Sequence, residues 1–263
     1  MKKASFMPVK RIDQSRCNLI ESSSFWLNCM LSILGLMWFE PVSAGIFSVT
    51  PVRIYMSSSD RASAVTVTND GDEEMVMQSD IYDWKQSADG KDILTLSENM
   101  ILSPPILKMA PRSHQVLRLI SLNSRNKDRQ QTYRMIIRQV PEAKPSKESM
   151  QLKIAYAFSI PIFITPPEAS AKLDCVFARG PSDVAQAICL NAGNATAHTA
   201  ALHISNASGE SLARHDSSTY ILPGNQKSFL FKESHSEISL GKHRLVVVLN
   251  DGTRRSYDIP TSE

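Results

Sequence analysis

Cys175 and Cys189 are the residues of this chain best suited to covalent chemistry. They stand in Lys-Leu-Asp-Cys175 and Ala-Ile-Cys189-Leu, two strand-like runs on either side of Arg179-Gly180-Pro181-Ser182-Asp183. An even pair of cysteines in an oxidising compartment favours a disulfide, and a hairpin here would carry it as a cross-strand bridge. A zinc site would need more thiols or well-spaced histidines. The six histidines (His114, His198, His203, His215, His235 and His243) are scattered. His198 and His203 lie five apart, which on a straight strand places them on opposite faces. There is no Gly-x-Ser-x-Gly elbow, no His-Glu-x-x-His and no Gly-x-x-x-x-Gly-Lys loop, so no nucleophile–base pair, metal or phosphate cradle announces an enzyme. Asp70, Asp72, Glu73 and Glu74 form an acidic turn suited to solvent. The chain reads as non-enzymatic, with no cofactor and no metal.

The elements that must position these residues are strands. Runs with strand character fall at 47–55, 64–68, 75–84, 115–119, 132–140, 150–164, 185–190, 200–204, 227–231 and 244–249. Turn residues separate them, among them Asn69-Asp70-Gly71, Pro104-Pro105, Asn191-Ala192-Gly193-Asn194 and Asn250-Asp251-Gly252. The last of these is a strong hairpin signal. Helix-period segments are nearly absent, and many short strands at such spacing mean an all-β sandwich or barrel class. Thr165-Pro166-Pro167 stops the longest run and stiffens the joint. The expectation is two immunoglobulin-like β-sandwich domains, residues 45–165 and 170–263, with Phe47 and Trp84 as contributors to the first core.

The first 44 residues look like an export leader. Lys2, Lys3, Lys10, Arg11 and Arg16 precede an apolar run at 25–39, and Val42-Ser43-Ala44 is a small-residue cleavage site. The apolar run is shorter than the roughly 20 residues needed to span a bilayer, and Asn28 interrupts it. The formal net charge is +3, of which residues 1–44 carry +2. What remains is near neutrality and makes no electrostatic case for nucleic acid.

Residues 150–164 carry the clearest pattern. Met150, Leu152, Ile154, Tyr156, Phe158, Ile160, Ile162 and Ile164 are all large and apolar, while the odd positions up to Pro161 are polar, small or proline. That alternation makes one apolar face on an extended strand. It is longer than the five or six residues, roughly, of an ordinary strand. It can therefore serve its own sheet and still have side chains to lend.

Several segments together resemble the two-domain, PapD-like periplasmic chaperones of pilus and fimbria assembly. Val49-Thr50-Pro51-Val52-Arg53-Ile54 resembles that family's first strand. Leu102-Ser103-Pro104-Pro105-Ile106-Leu107 resembles its central Pro-Pro segment, and Gln115-Val116-Leu117-Arg118-Leu119 the strand after it. Tyr133 to Pro141 resembles the arginine-x-x-proline end of strand F1, and residues 150–166 stand where strand G1 stands. The resemblance implies a boomerang of two immunoglobulin-like domains acting in the periplasm. It implies donor-strand complementation, in which a pilin subunit missing its last strand borrows one and is passed to an outer-membrane usher. Met150, Leu152, Ile154, Tyr156 and Phe158 would be the donor side chains; Ile160, Ile162 and Ile164 would stay in the chaperone's own core. Arg53 would anchor the subunit's C-terminal carboxylate. The free protein, with an exposed apolar strip, would favour self-association.

The chain departs from that family in two places. An anchoring lysine late in G1 is replaced by Pro161, and an arginine before the final proline by Thr165. The anchor is then Arg53 alone, Arg53 with a lysine from elsewhere, or Arg53 with the hydroxyl of Ser159. These departures fit a divergent, archaic or alternative branch. The competing reading is a structural or adhesive immunoglobulin-like component of a surface fibre.

Overall fold

The computed structural model describes residues 47–122, 128–141, 155–180, 184–231 and 243–259, all within one compact unit, Gly45–Glu263. Residues 1–44, expected to be an export leader, and the expected donor residues Met150, Leu152 and Ile154 lie outside the described residues.

Ten strands precede the Pro166-Pro167 break. They are β1 (Phe47–Thr50), β2 (Ile54–Ser57), β3 (Ala62–Asn69), β4 (Met75–Gln86), β5 (Asp92–Leu96), β6 (Met100–Ser103), β7 (Ile106–Met109), β8 (His114–Ser121), β9 (Gln131–Val140) and β10 (Ala157–Thr165). One sheet runs β1-β3-β8-β6; the facing sheet runs β2-β10-β9-β4-β5, with β7 also on β4. Between them lies a core that includes Phe47, Val65, Met77, Leu117, Met135, Ile137 and Ile162. Alternation along β4 and β9 supplies one inward side chain every second residue, as a half-buried strand requires.

The first run is two strands rather than one. Pro51 has no N–H to continue the ladder. After it the chain leaves β3, which β1 pairs antiparallel, and crosses to the other sheet, where β2 lies parallel to β10. Arg53 sits at that crossover.

Seven strands follow the break. β11 (Leu173–Arg179), β12 (Ala185–Asn191), β13 (Ala197–Ser205), β14 (Ser211–Ile221), β15 (Gln226–Leu230), β16 (His243–Leu249) and β17 (Arg254–Ile259) form sheets β11-β12-β15 and β14-β13-β16-β17. Their own core includes Leu202, Ile204, Ile221, Phe229, Leu245 and Val247. Cys175 and Cys189 face each other in the β11–β12 register and form the disulfide. The whole is all-β, two immunoglobulin-like sandwiches.

Among the described residues each sandwich carries one fully buried asparagine as the last residue of a strand, Asn69 of β3 and Asn191 of β12. Asn69 Nδ2 donates to the Glu73 and Ala110 carbonyls, and its Oδ1 accepts from Gly71 N–H. Asn191 Nδ2 donates to the Ala195 and Ile221 carbonyls, and its Oδ1 accepts from Lys172 and Gly193 N–H. Gly193 is required beside it: a Cβ there would collide with the Ser170 carbonyl oxygen and the Lys172 nitrogen.

Trp84 is not part of the first core. It is 2% exposed, but on the outer face of the β4 sheet, where it clusters with Phe163 and Leu222 and with the partly buried Tyr220. This cluster joins the two sandwiches. Two glutamine side chains complete the joint. Gln86 Nε2 donates to the Tyr220 carbonyl at 2.9 Å, and its Oε1 accepts from Leu222 N–H at 2.9 Å. Gln130 Nε2 donates to Thr165 Oγ1 at 2.7 Å, and its Oε1 accepts from Thr196 N–H at 2.8 Å. Where the resemblance led one to expect an arginine, Thr165 thus receives an amide hydrogen.

Candidate functional site

The apolar face of β10 emerges from the core partway along its length. Ile164, Ile162 and Ile160 are 5%, 0% and 2% exposed, whereas Phe158 and Tyr156 on the same face are 37% and 43% exposed. The ladder continues beyond the strand's formal start, since Gln139 N–H donates to the Tyr156 carbonyl at 2.8 Å. Both aromatic rings meet Phe47 edge-on, with centroids 4.8 Å away for Phe158 and 6.4 Å for Tyr156. Alternating apolar side chains on a partly covered strand are what strand addition uses for specificity, while main-chain hydrogen bonds supply attraction.

The opposite face of β10 behaves differently. Ser159 is exposed, but Pro161 and Phe163 are buried. The run 160–164 is therefore covered on both sides, as a continuous apolar run can be. Phe163 stacks on Tyr55 at 5.5 Å and lies 5.6 Å from Tyr220 and 6.1 Å from Trp84. Period-two alternation on the even positions masks its role in the sequence; the uninterrupted Ile160-Pro161-Ile162-Phe163-Ile164 is the signal for it.

Arg53 is partly buried and lies beside this second face. β2 pairs with β10 from Ile54↔Ile162 onward, so the same register carried one residue back sets Arg53 next to Pro161. Ser159 lies two pairs further out, opposite Ile136. Arg53 lies close enough for its charge to bias both the Tyr220 phenol and the His198 imidazole. Burial raises the Tyr220 phenol, while Arg53 and Arg134 both work to lower it.

Arg134, paired with Pro161 in the β9–β10 register, leans the other way. Its guanidinium lies 3.8 Å over the Trp84 ring and 5.5 Å from the Tyr220 ring, and it pairs with Asp92 at 3.6 Å. Burial lowers it, with Asp92 and Tyr220 opposing. A guanidinium stacked on indole is a favourable cation–π arrangement, so this arginine is already engaged.

His198 reaches the same place because β13 is bulged. The register slips between Thr199 and Ala201 in both pairings of β13, and an extra residue reverses which face follows. The straight-strand expectation for His198 and His203 therefore fails: both fall on the outer, partly buried face, with Leu202 and Ile204 inward. His198 stacks on Tyr220 at 4.1 Å and hydrogen-bonds Ser218 Oγ through Nε2 at 2.7 Å.

Burial first, and then the Arg53 charge, push the His198 imidazole down to about 4 from its ordinary 6.5. The unfolded chain then takes up this proton first as the pH falls. The resulting stability is whole above pH 6.5 and drains away as the pH falls toward 4. Allowing for its half-exposed setting, the loss is about 1 kcal/mol. The His198→Gln protein should show an acid limb shallower by that amount in urea unfolding followed across this range.

Among the described residues no cluster of three or more His, Cys, Asp or Glu side chains could hold a metal, and no helix is long and apolar enough to cross a membrane. The arrangement offers instead an apolar strand face and a cationic, aromatic cleft.

Residues 46–170 match the family model described as pili and flagellar-assembly chaperone, PapD N-terminal domain. Chaperone protein LpfB of Salmonella typhimurium is 24% identical over 143 residues, 53% of this chain and 58% of that protein. The probable fimbrial chaperone LpfB of Escherichia coli O157:H7 is 26% identical over 136 residues, 51% of this chain and 55% of that protein. The chain thus spans a little over half the length of the curated relatives it matches. The CsuC–CsuE chaperone–tip adhesion subunit pre-assembly complex of the archaic Csu pili of Acinetobacter baumannii superposes with a TM-score of 0.62 at 19% identity, over 83% of this chain and all of the matched chain. The YadV chaperone gives 0.58 at 15% identity over 82% of this chain and all of its own. At such identities the likeness is one of fold, and it extends beyond residues 46–170 into the second sandwich. Residues 46–170, a little under half of this chain, thus match the PapD N-terminal-domain model, and the fold of the two sandwiches is PapD-like.

Proposed function

We propose that this chain is a periplasmic chaperone that binds, folds and caps pilus or fimbrial subunits by donor-strand complementation and delivers them to an outer-membrane usher. Residues 1–44 are its export leader, and residues 45–165 and 170–263 its two domains. The segment from Met150 to Phe158 is the part lent: Met150, Leu152, Ile154, Tyr156 and Phe158 fill the groove of an incomplete subunit. Arg53 holds the subunit's terminal carboxylate. The family match supports the chaperone role. The observation that carries the donor assignment is the emergence of one apolar face from the core between Ile160 and Phe158. A strip of this kind, uncovered, is an interaction surface, and covering it also ends the exposed edge of the client.

Co-expression with a fibre subunit encoded by a neighbouring gene tests the reading. The wild-type chaperone should bring the subunit down one to one. Tyr156→Asp and Ile154→Asp should each weaken capture by about a hundredfold or more, since each forfeits a buried apolar side chain and sets a carboxylate in its place. Their own unfolding midpoints should stay close to wild type. Undiminished capture by both variants overturns the donor assignment.

A further inference from the structure

We infer that Pro161 is a register stop on the donor strand: it ends the client's ladder at Ser159 and so makes Phe158 the last side chain lent. The inference rests on the donor reading proposed above and names the residue that sets where the lent segment ends.

In an antiparallel pair, residues that exchange main-chain bonds with the neighbour alternate with residues that do not. Gln139 N–H donates to the Tyr156 carbonyl at 2.8 Å. In the β9–β10 register, Tyr156, Phe158, Ile160, Ile162 and Ile164 therefore turn their main-chain groups to β9. Ala157, Ser159, Pro161, Phe163 and Thr165 turn theirs to the opposite edge. Thr165 follows this rule: its carbonyl accepts from Ser58 N–H, just past β2, at 3.1 Å. Pro161 pairs with Arg134 at a position that exchanges no main-chain bonds, so its absent N–H costs β9 nothing. The loss falls on the other edge. There β2 occupies β10 from Ile162↔Ile54 onward. From Ala157 to Pro161 that edge has no strand partner among the described residues. Ala157 and Ser159 each offer it an N–H and a carbonyl, whereas Pro161 offers a carbonyl only. A strand laid along this edge finds donors at Ala157 and Ser159 and none at Pro161.

The apolar face ends at the same place. Phe158 is 37% exposed and Ile160 2%, so side chains cease to be available where the edge ceases to supply donors. One boundary comes from the burial of a face and the other from the chemistry of an edge, and they coincide. The alternating stripe alone cannot fix a client's register, because a slip of two residues presents the same face again. A missing donor can. A client strand that overran it would meet β2 end-on and would lie beside Ile160, a side chain the first core already holds. Client and β2 are thereby kept end to end on one edge of β10.

The test uses the fibre subunit encoded by a neighbouring gene, captured by isotope-labelled chaperone. Amide exchange is followed by NMR, and capture is scored by co-purification. In the wild-type protein the Ala157 and Ser159 amides should exchange at least about tenfold more slowly after capture. Ser159→Pro moves the stop outward by one donor. It should weaken capture by about tenfold, the worth of one hydrogen bond. The unfolding midpoint of the free Ser159→Pro protein should match wild type, because the N–H removed faces an empty edge. Pro161→Ala removes the stop, and its new amide should exchange about tenfold more slowly in the complex than in the free protein. A Ser159 amide left unprotected in the wild-type complex overturns the inference. So does undiminished capture by Ser159→Pro, or equal exchange of the new amide of Pro161→Ala in both states. A Ser159→Pro protein that does not fold shows that this edge is not free, and overturns it too. If the wild-type protein captures the subunit while these tests fail, the stop falls and the donor reading stands. If the wild-type protein captures no subunit, both fall.

Discussion

Replacing Asn191 with alanine should destabilise the protein by about 4 kcal/mol, measured as the loss of unfolding free energy in urea. One amide side chain here closes four hydrogen bonds in a site with no solvent exposure. Alanine would leave the Ala195 and Ile221 carbonyls and two N–H groups without it, and each buried polar group left unpaired costs about 1–3 kcal/mol. Water can reach some of them, which is why the sum is not simply four times that. Asn191→Asp is the informative companion. It retains both acceptor bonds but turns a carboxylate toward two carbonyl oxygens, so it should be no milder than alanine. A loss below about 1 kcal/mol for both variants would show that the turn holds itself. Asn69 occupies the corresponding place in the first sandwich and should respond in the same direction.

Trp84→Ala should cost about 3–5 kcal/mol, as expected for emptying a buried aromatic site. It should also change the form of unfolding. Trp84 contacts Phe163 on its own sandwich and Tyr220 on the other, and it carries the stacked Arg134. Without it Arg134 keeps its burial but loses its aromatic support. A single transition in wild type should separate into two when calorimetry and tyrosine fluorescence are compared, because each sandwich has its own core. Trp84→Phe is the control. The indole N–H finds no hydrogen-bond partner among the described residues, so phenylalanine gives up volume and stacking but no hydrogen bond. One sharp transition in Trp84→Ala would mean that the remaining contacts, the two glutamines and Phe163–Tyr220 among them, suffice to couple the sandwiches.

Much of this molecule is legible in the order of its residues. Alternation identified β4, β9 and β10, and the Asn250-Asp251-Gly252 turn identified the β16–β17 hairpin. The spacing around Arg179 to Asp183 predicted the bridge between Cys175 and Cys189. What could not be read depends on a second element arriving from far along the chain. Trp84 looks like core in any window of sequence; only Leu222 and Tyr220 reveal that it faces outward. The crossover at Arg53 is invisible because 47–55 has strand character on both sides of Pro51. The bulge in β13 is a one-residue slip in a run of alanines and threonine, where small side chains give pattern analysis no contrast. Asn69 and Asn191 were visible as turn formers, but their buried bonding was not, since nothing in Asn-x-Gly says how deep the turn will lie.

The seam closed by Gln86 and Gln130 has one more implication. Both side chains are amides, and both grip main-chain groups or a hydroxyl across the joint. Amides neither titrate nor gather counterions, so brine or vinegar gives these clasps nothing to loosen. A clasp of opposed charges would slacken as ions accumulate; these two amides hold their set in dilute and concentrated media alike.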